Sequence, residues 1–242
     1  MKRKKSNLGV VSHVGVVLSF VIFITFIIFI YIVIRPAIET EDKQAILDYV
    51  KGVIIENASA NMISVSVSIF EASNTCVNLM GFLDGLEIGN RITAGNYEGD
   101  VFDTKISIQN LYVEKNSGEK FLKVYGSDAF DLTENGAMSE CQQANEGYPG
   151  YWVGFVQTEK NIFEKKIIQI IEDYNSDYEN LKEELNIPLG NDFRLSFTYA
   201  NGTFIETEEK EASGSVFIEE ISIRYINKNL SKEAGYLGVG IW

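Results

Sequence analysis

The chain has 242 residues, 21 of them basic and 34 acidic, for a formal net charge of −13 at neutral pH. Five of the basic residues and none of the acidic ones fall in the first 35 positions, so the remaining 207 carry 16 basic and 34 acidic residues, a net charge of −18. A surface this acidic repels phosphate backbones and argues against nucleic-acid binding, while a segment of this size and apolar content can bury the core of one domain or two small ones.

The first predicted element is a membrane span. Gly15 to Ile34 reads GVVLSFVIFITFIIFIYIVI, 20 residues without a charge, about 30 Å of helix and so the thickness of a hydrocarbon core. Lys2, Arg3, Lys4 and Lys5 precede the run and Arg35 follows it. That asymmetry favours a cytoplasmic N-terminus with the rest of the chain outside. A cleaved secretory signal is the rival reading. Its apolar region is shorter and ends in small residues, whereas this run ends in Ile34-Arg35-Pro36.

Beyond Pro36, where a bend is expected, helical spacing resumes. Ile38, Ala45, Ile46, Tyr49, Val50, Val53 and Ile54 share one stripe. The period then changes: Ile63, Val65, Val67 and Ile69 alternate with Ser64, Ser66 and Ser68, the pattern of a strand with one buried face. A strand from Cys76 onward, another over Lys105–Glu114, and a turn at Asn116-Ser117-Gly118 into a strand from Lys120 are expected next, the last two as a hairpin. Residues 127–149 read as a polar loop, and Tyr151-WVGFVQT as a strand. A second long helix follows on Phe163, Ile167, Ile170, Ile171, Tyr174, Tyr178, Leu181 and Leu185, a stripe that reads as core. It ends at Asn186-Ile187-Pro188.

The C-terminal part returns to strands. Ala200-Asn201-Gly202 predicts a hairpin. Val216, Ile218, Ile221 and Ile223 predict a strand with a bulge at Glu219-Glu220. The apolar terminus Tyr236-LGVGIW predicts a docked last strand. Long N-terminal helix, antiparallel sheet, second long helix and more antiparallel sheet make an α+β fold. The expected divisions are a basic cytoplasmic leader (1–14), a transmembrane helix (15–34), an amphipathic extension (35–57) and an extracytoplasmic α+β domain (58–242).

Signs of chemistry are few. The only histidine is His13, beside the span. It reads either as an interfacial polar residue or as a sensor of cytoplasmic pH. Catalytic triads and histidine-bearing zinc sites are therefore excluded from the outer domain. We assign no catalytic, cofactor or metal residue and expect no enzyme. Asp131-x-Thr133-x-Asn135-Gly136 has oxygen ligands at the alternate positions of a calcium loop, but Gln142 stands where a bidentate glutamate belongs. An ordinary acidic turn is the other reading. Gly235, Gly238 and Gly240 read as marks of tight packing or of an edge. Cys76 and Cys141 form an even pair outside the span, either one disulfide or two buried thiols. The sequons at Asn57, Asn201 and Asn229 are available for glycosylation.

The leader Lys2-RKKSNLG-VVSHVG-VVLSFVIF, its apolar helix, the amphipathic extension and the β-rich remainder resemble archaeal type IV pilin-like membrane proteins. The likeness is carried by residues 2–57; beyond them it is one of architecture. It implies a leader cut near Gly9, and a span first held in the bilayer and then packed against itself or other pilin-like subunits. Val14 stands where bacterial pilins carry glutamate. The expectation is a single-pass, pilin-like structural subunit of the cell surface. The alternative is a bitopic surface protein that captures a ligand or envelope partner. A membrane-tethered hydrolase working through carboxylates or a metal ranks third.

Overall fold

The computed structural model describes residues 8–242 apart from Ala72, Gly85, Glu87, Ser213 and Gly214, with side chains described at 15–33 and from Lys43 onward. The basic residues 2–5, the His13 side chain and the expected bend at Pro36 lie outside that description.

One helix, α1 (Leu8–Asn57), runs for 50 residues, about 75 Å at the usual rise. Within it Gly15–Val33 is long and apolar enough to cross a membrane, and none of it is buried in the protein. The far end behaves differently. Leu47, Val50 and Ile54 are buried, with Ile46, Val53 and Ile55 packed beside them. The buried stripe is rotated from the one expected: Leu47 joins it, while Tyr49 and Ala45 are exposed.

The chain then builds a β-sandwich from β1 (Ser59–Ile69), β2 (Cys76–Leu79), β3 (Ile92–Gly95), β4 (Val101–Phe102), β5 (Thr104–Ser107), β6 (Asn110–Glu114), β7 (Phe121–Ser127), β8 (Glu134–Asn135), β9 (Gln142–Ala144) and β10 (Tyr151–Phe163). One sheet runs β10-β1-β7-β3-β4 and the other β8-β5-β6-β2-β9. Val65, Val67, Ile69, Leu122 and Val124 of the first face Val77, Leu79, Leu111 and Val113 of the second. This is the two-layer solution for sheets with one apolar face each.

Two local expectations are corrected here. Lys105–Glu114 is not one strand but the β5/β6 hairpin, turned at Ile108, whose φ is 58°. Nor do β6 and β7 form a hairpin. β6 pairs with β5 and β2, and β7 with β1 and β3. The Asn116–Gly118 turn therefore carries the chain from one sheet to the other. Both strands are buried on one side, and facing layers satisfy that as well as pairing does.

The second half consists of α2 (Glu164–Ser176), α3 (Tyr178–Glu184), β11 (Phe193–Tyr199), β12 (Phe204–Glu206), β13 (Phe217–Ile226) and β14 (Lys232–Ile241). All eight residues of the predicted stripe from Phe163 to Leu185 are buried. The helix is not continuous, however. It breaks at Asp177, whose backbone leaves the helical region and whose carboxylate caps α3 by accepting from Asn180 N. The strands form the antiparallel order β12-β11-β14-β13. Phe193, Leu195, Phe197, Ile223, Tyr225, Leu237 and Val239 face α1 and α2 across one core.

The expected bulge at Glu219-Glu220 is absent: β13 pairs with β14 in unbroken register from Phe217↔Ile241 to Ile226↔Lys232. Glu219 keeps its place on the helix side because Lys51 of α1 reaches it at 2.8 Å. The glycines of β14 lie in a central strand, not at an edge. A Cβ on Gly238 would stand 2.3 Å from Ser196 Oγ. The terminal Trp242 is buried and exchanges backbone hydrogen bonds with Asp192.

The two halves share a nine-stranded sheet, yet only two residue pairs of its ladder join them. Ile162↔Tyr225 and Phe163↔Ile226 link β10 to β13 in parallel. A small core of Ala60, Met62, Ala129, Phe163 and Ile226 packs at this seam.

Candidate functional site

The predicted positions separate cleanly in space. Cys76 and Cys141 are joined as a disulfide, Cα to Cα 4.5 Å, at the start of the parallel β2/β9 pair, where Val77 lies opposite Gln142. The three sequon asparagines are exposed and lie at three different element ends. Asn57 ends α1 and donates to Val53 O, Asn201 turns β11 into β12, and Asn229 lies in the turn before β14.

The calcium-like loop is spent on structure. The Asp131 carboxylate accepts from Lys165. Thr133 Oγ1 donates to Ile92 O at 2.8 Å and accepts from Ile92 N. Asn135 belongs to β8 and pairs with Ile106. Among the described residues no group of three or more His, Cys, Asp or Glu side chains is placed to hold a metal.

A groove of about 1350 Å³ lies at the seam, between the loop after β7, the outer side of α2 and the β13–β14 turn. Seven acids and three lysines line it, and two of the lysines are paired. Lys165 meets Asp131, and Lys105 meets Glu134 at 2.8 Å. The Lys105 amine is held above its ordinary range mainly by its hydrogen bond to Glu134, and Glu134 is held below by the same bond.

A linked set of shifted groups lies in the helical half. Tyr178 donates to Asp192 at 2.7 Å, and Lys182 meets the same carboxylate at 2.8 Å. The Lys182 bond, with that of Tyr178, pulls Asp192 below the usual carboxylate range against some burial. Burial pushes Tyr174, which donates to Phe193 O at 2.8 Å, up to about 12. These groups tie the α2–α3 pair to the sheet.

The least structural arrangement lies on the outward face of the sandwich. Ser64, Ser66 and Ser68 of β1 form its floor. Ser68 stands between Phe121 of β7 and Trp152 of β10, and Ser64 between Tyr125 and Gln157. The register slip between Val65 and Val67 places Gly154 and Phe155 together opposite Ser66. Val156 pairs with inward Val65, so by alternation Phe155 lies outward. Phe70 continues the row and meets Tyr148 edge-on, with ring centroids 5.3 Å apart.

The alternating serines are legible in the sequence; the walls beside them are not. Their trace in the sequence is a parity: exposed Phe121 and Trp152 each neighbour a buried residue, Leu122 and Tyr151. That Phe121 and Trp152 flank one serine is a matter of strand order. No protein-family model, curated protein or solved structure matches this chain.

Proposed function

We propose that this chain is a single-pass, membrane-anchored surface subunit of the pilin-like kind, with its N-terminus in the cytoplasm and its α+β domain outside. The observation that carries the reading is α1. One helix exposes an apolar span over Gly15–Val33, then buries Leu47, Val50 and Ile54 against an antiparallel sheet. A helix that is apolar all round and buried by nothing calls for lipid or for like helices. The amphipathic turns beyond it fix the domain to that helix without a flexible linker. Fractionation of cells, with N-terminal mass spectrometry of the native protein, tests the reading. Recovery with membranes or pelleted filaments, with the span intact, supports it. A soluble protein beginning after the span overturns it. Loss of the leader near Gly9 and co-sedimentation with filaments mark the assembling form.

A second reading, a bitopic protein that displays its domain to capture a ligand, is favoured by the uncovered aromatic face of the sandwich. Protease added to intact cells tests its topology: the domain should be digested and the leader spared.

A further inference from the structure

We infer that the outward face of β10-β1-β7-β3 is a binding site for an uncharged polysaccharide chain. The inference deepens the surface-display reading and rests on it for its biological setting.

The walls stand one strand to either side of the serine floor, roughly 10 Å apart. Trp152 and Phe155 form one wall and are 51% and 67% exposed; Phe121, 57% exposed, and Tyr125 belong to the other. Tyr97 leans over the floor, donating from its hydroxyl to Ser66 Oγ at 3.1 Å. Lys123 sits 4.4 Å above the Tyr97 ring. No described residue hydrogen-bonds the Ser68 hydroxyl, while Ser64 donates only weakly, at 3.5 Å, to Gln157 O.

Aromatic rings offer flat faces of negative potential, which attract the weakly positive C–H groups of a sugar ring. The Ser64 and Ser68 hydroxyls and the side-chain carbonyl of Gln157, whose amide nitrogen already donates to Glu159, offer donors and acceptors to the sugar's hydroxyls. An extended sugar chain has both needs along its whole length, and this trough alternates both.

Charge narrows the choice. The part of the chain beyond the span carries a net −18, which opposes anionic polymers. Glu159, at the end of the face, is already held by Lys232 at 2.7 Å. A polypeptide strand fits less well. The bulge at Gly154-Phe155 interrupts the free edge of β10, a device that disfavours strand addition. The serine floor also lacks the aliphatic depth of a protein interface core.

The chain provides its own probe, because its two tryptophans are Trp152 on this face and Trp242, buried in the other half. Full-length protein in detergent micelles would be titrated with cellohexaose, mannohexaose and chitohexaose, with oligogalacturonate as the anionic control. Expected is a saturable blue shift of emission and protection from acrylamide with at least one neutral hexasaccharide, and none with the acidic one. Phe121→Ala should weaken that binding at least tenfold, Trp152→Phe should retain most of it by calorimetry, and Ile218→Ala, on the other half, should leave it unchanged. Unaltered melting would show that each variant folds.

No response to any neutral sugar by folded protein overturns the inference, as does equal binding by Phe121→Ala. Concentration-dependent self-association abolished by Phe121→Ala, without sugar binding, would overturn it in favour of contact between copies. These titrations do not depend on topology, so protease protection in cells separates a failed site from a failed surface-display reading.

Discussion

The two halves of this molecule solve the same problem with different materials. In the C-terminal half a four-stranded sheet is covered by helices, and part of the cover comes from the N-terminal helix itself. In the sandwich one sheet covers another, and the Cys76–Cys141 disulfide closes a loop across it. The outward surfaces differ in their polar residues. Behind the helix-covered sheet, β13 presents Glu220, Ser222 and Arg224, with Ile218, Tyr236 and Phe204 exposed beside them. On the sandwich an uncharged serine row is flanked by Phe121, Trp152 and Phe155. A half that owes its stability to packed helices is bound to α1, whereas a half closed by its own second sheet and a covalent staple can leave a face open for other uses.

Truncation breaks the comparison most severely. Removing residues 1–57 strips Leu47, Val50 and Ile54 from the C-terminal core, together with the Lys51–Glu219 pair. At about 2–5 kcal/mol for each large core side chain, the loss rivals the whole stability of a typical domain. The helical half should unfold, as read by hydrogen exchange, while a truncation beginning at Arg35 should keep it folded. Any soluble version must therefore retain the amphipathic end of α1.

The disulfide gives the reciprocal case. Its cysteines are 65 residues apart, so replacing both with serine should destabilise the sandwich by about 4 kcal/mol on the chain-entropy model. Exchange should rise in β2, β6 and β9 and stay low in α2 and β14. Equal loosening of both halves would show that they unfold as one unit.

Alkali should affect both halves more gently. Burial pushes Tyr151 of the sandwich and Tyr174 of the helical half up to about 12, from an ordinary value near 10. Their neutral rings favour the folded state at neutral pH, and that contribution is lost as pH rises from about 10 toward 12. The melting temperature should fall across that window. Tyr174→Phe should flatten the fall in the helical half only, at the cost of the hydrogen bond to Phe193 O.

Acid should give the smallest and most local effect. Asp192 titrates below its ordinary range, so its contribution is present above about pH 4 and fades as pH falls through the lowered value. Asp192→Asn should remove that dependence, with a modest loss at neutral pH, because the carboxylate is partly exposed. Fluorescence of buried Trp242, whose backbone bonds to Asp192, would follow it.

The sequence by itself determined the features that depend on spacing along the chain. Twenty uncharged residues define a helix long and apolar enough to cross a membrane, Ile63 to Ile69 define a strand with one wet face, and the eight-residue stripe from Phe163 defines a buried helical surface. Each follows from a repeat of 3.6 or 2 residues. The tertiary structure alone decided what lies opposite what. It separated β6 from β7, broke the second helix at Asp177, kept Glu219 in register by supplying Lys51, and set Phe121 and Trp152 on either side of Ser68. Periodicity gives each strand its faces but not its neighbours. Neighbours are chosen by how whole layers pack, from contacts dozens of residues apart in the chain.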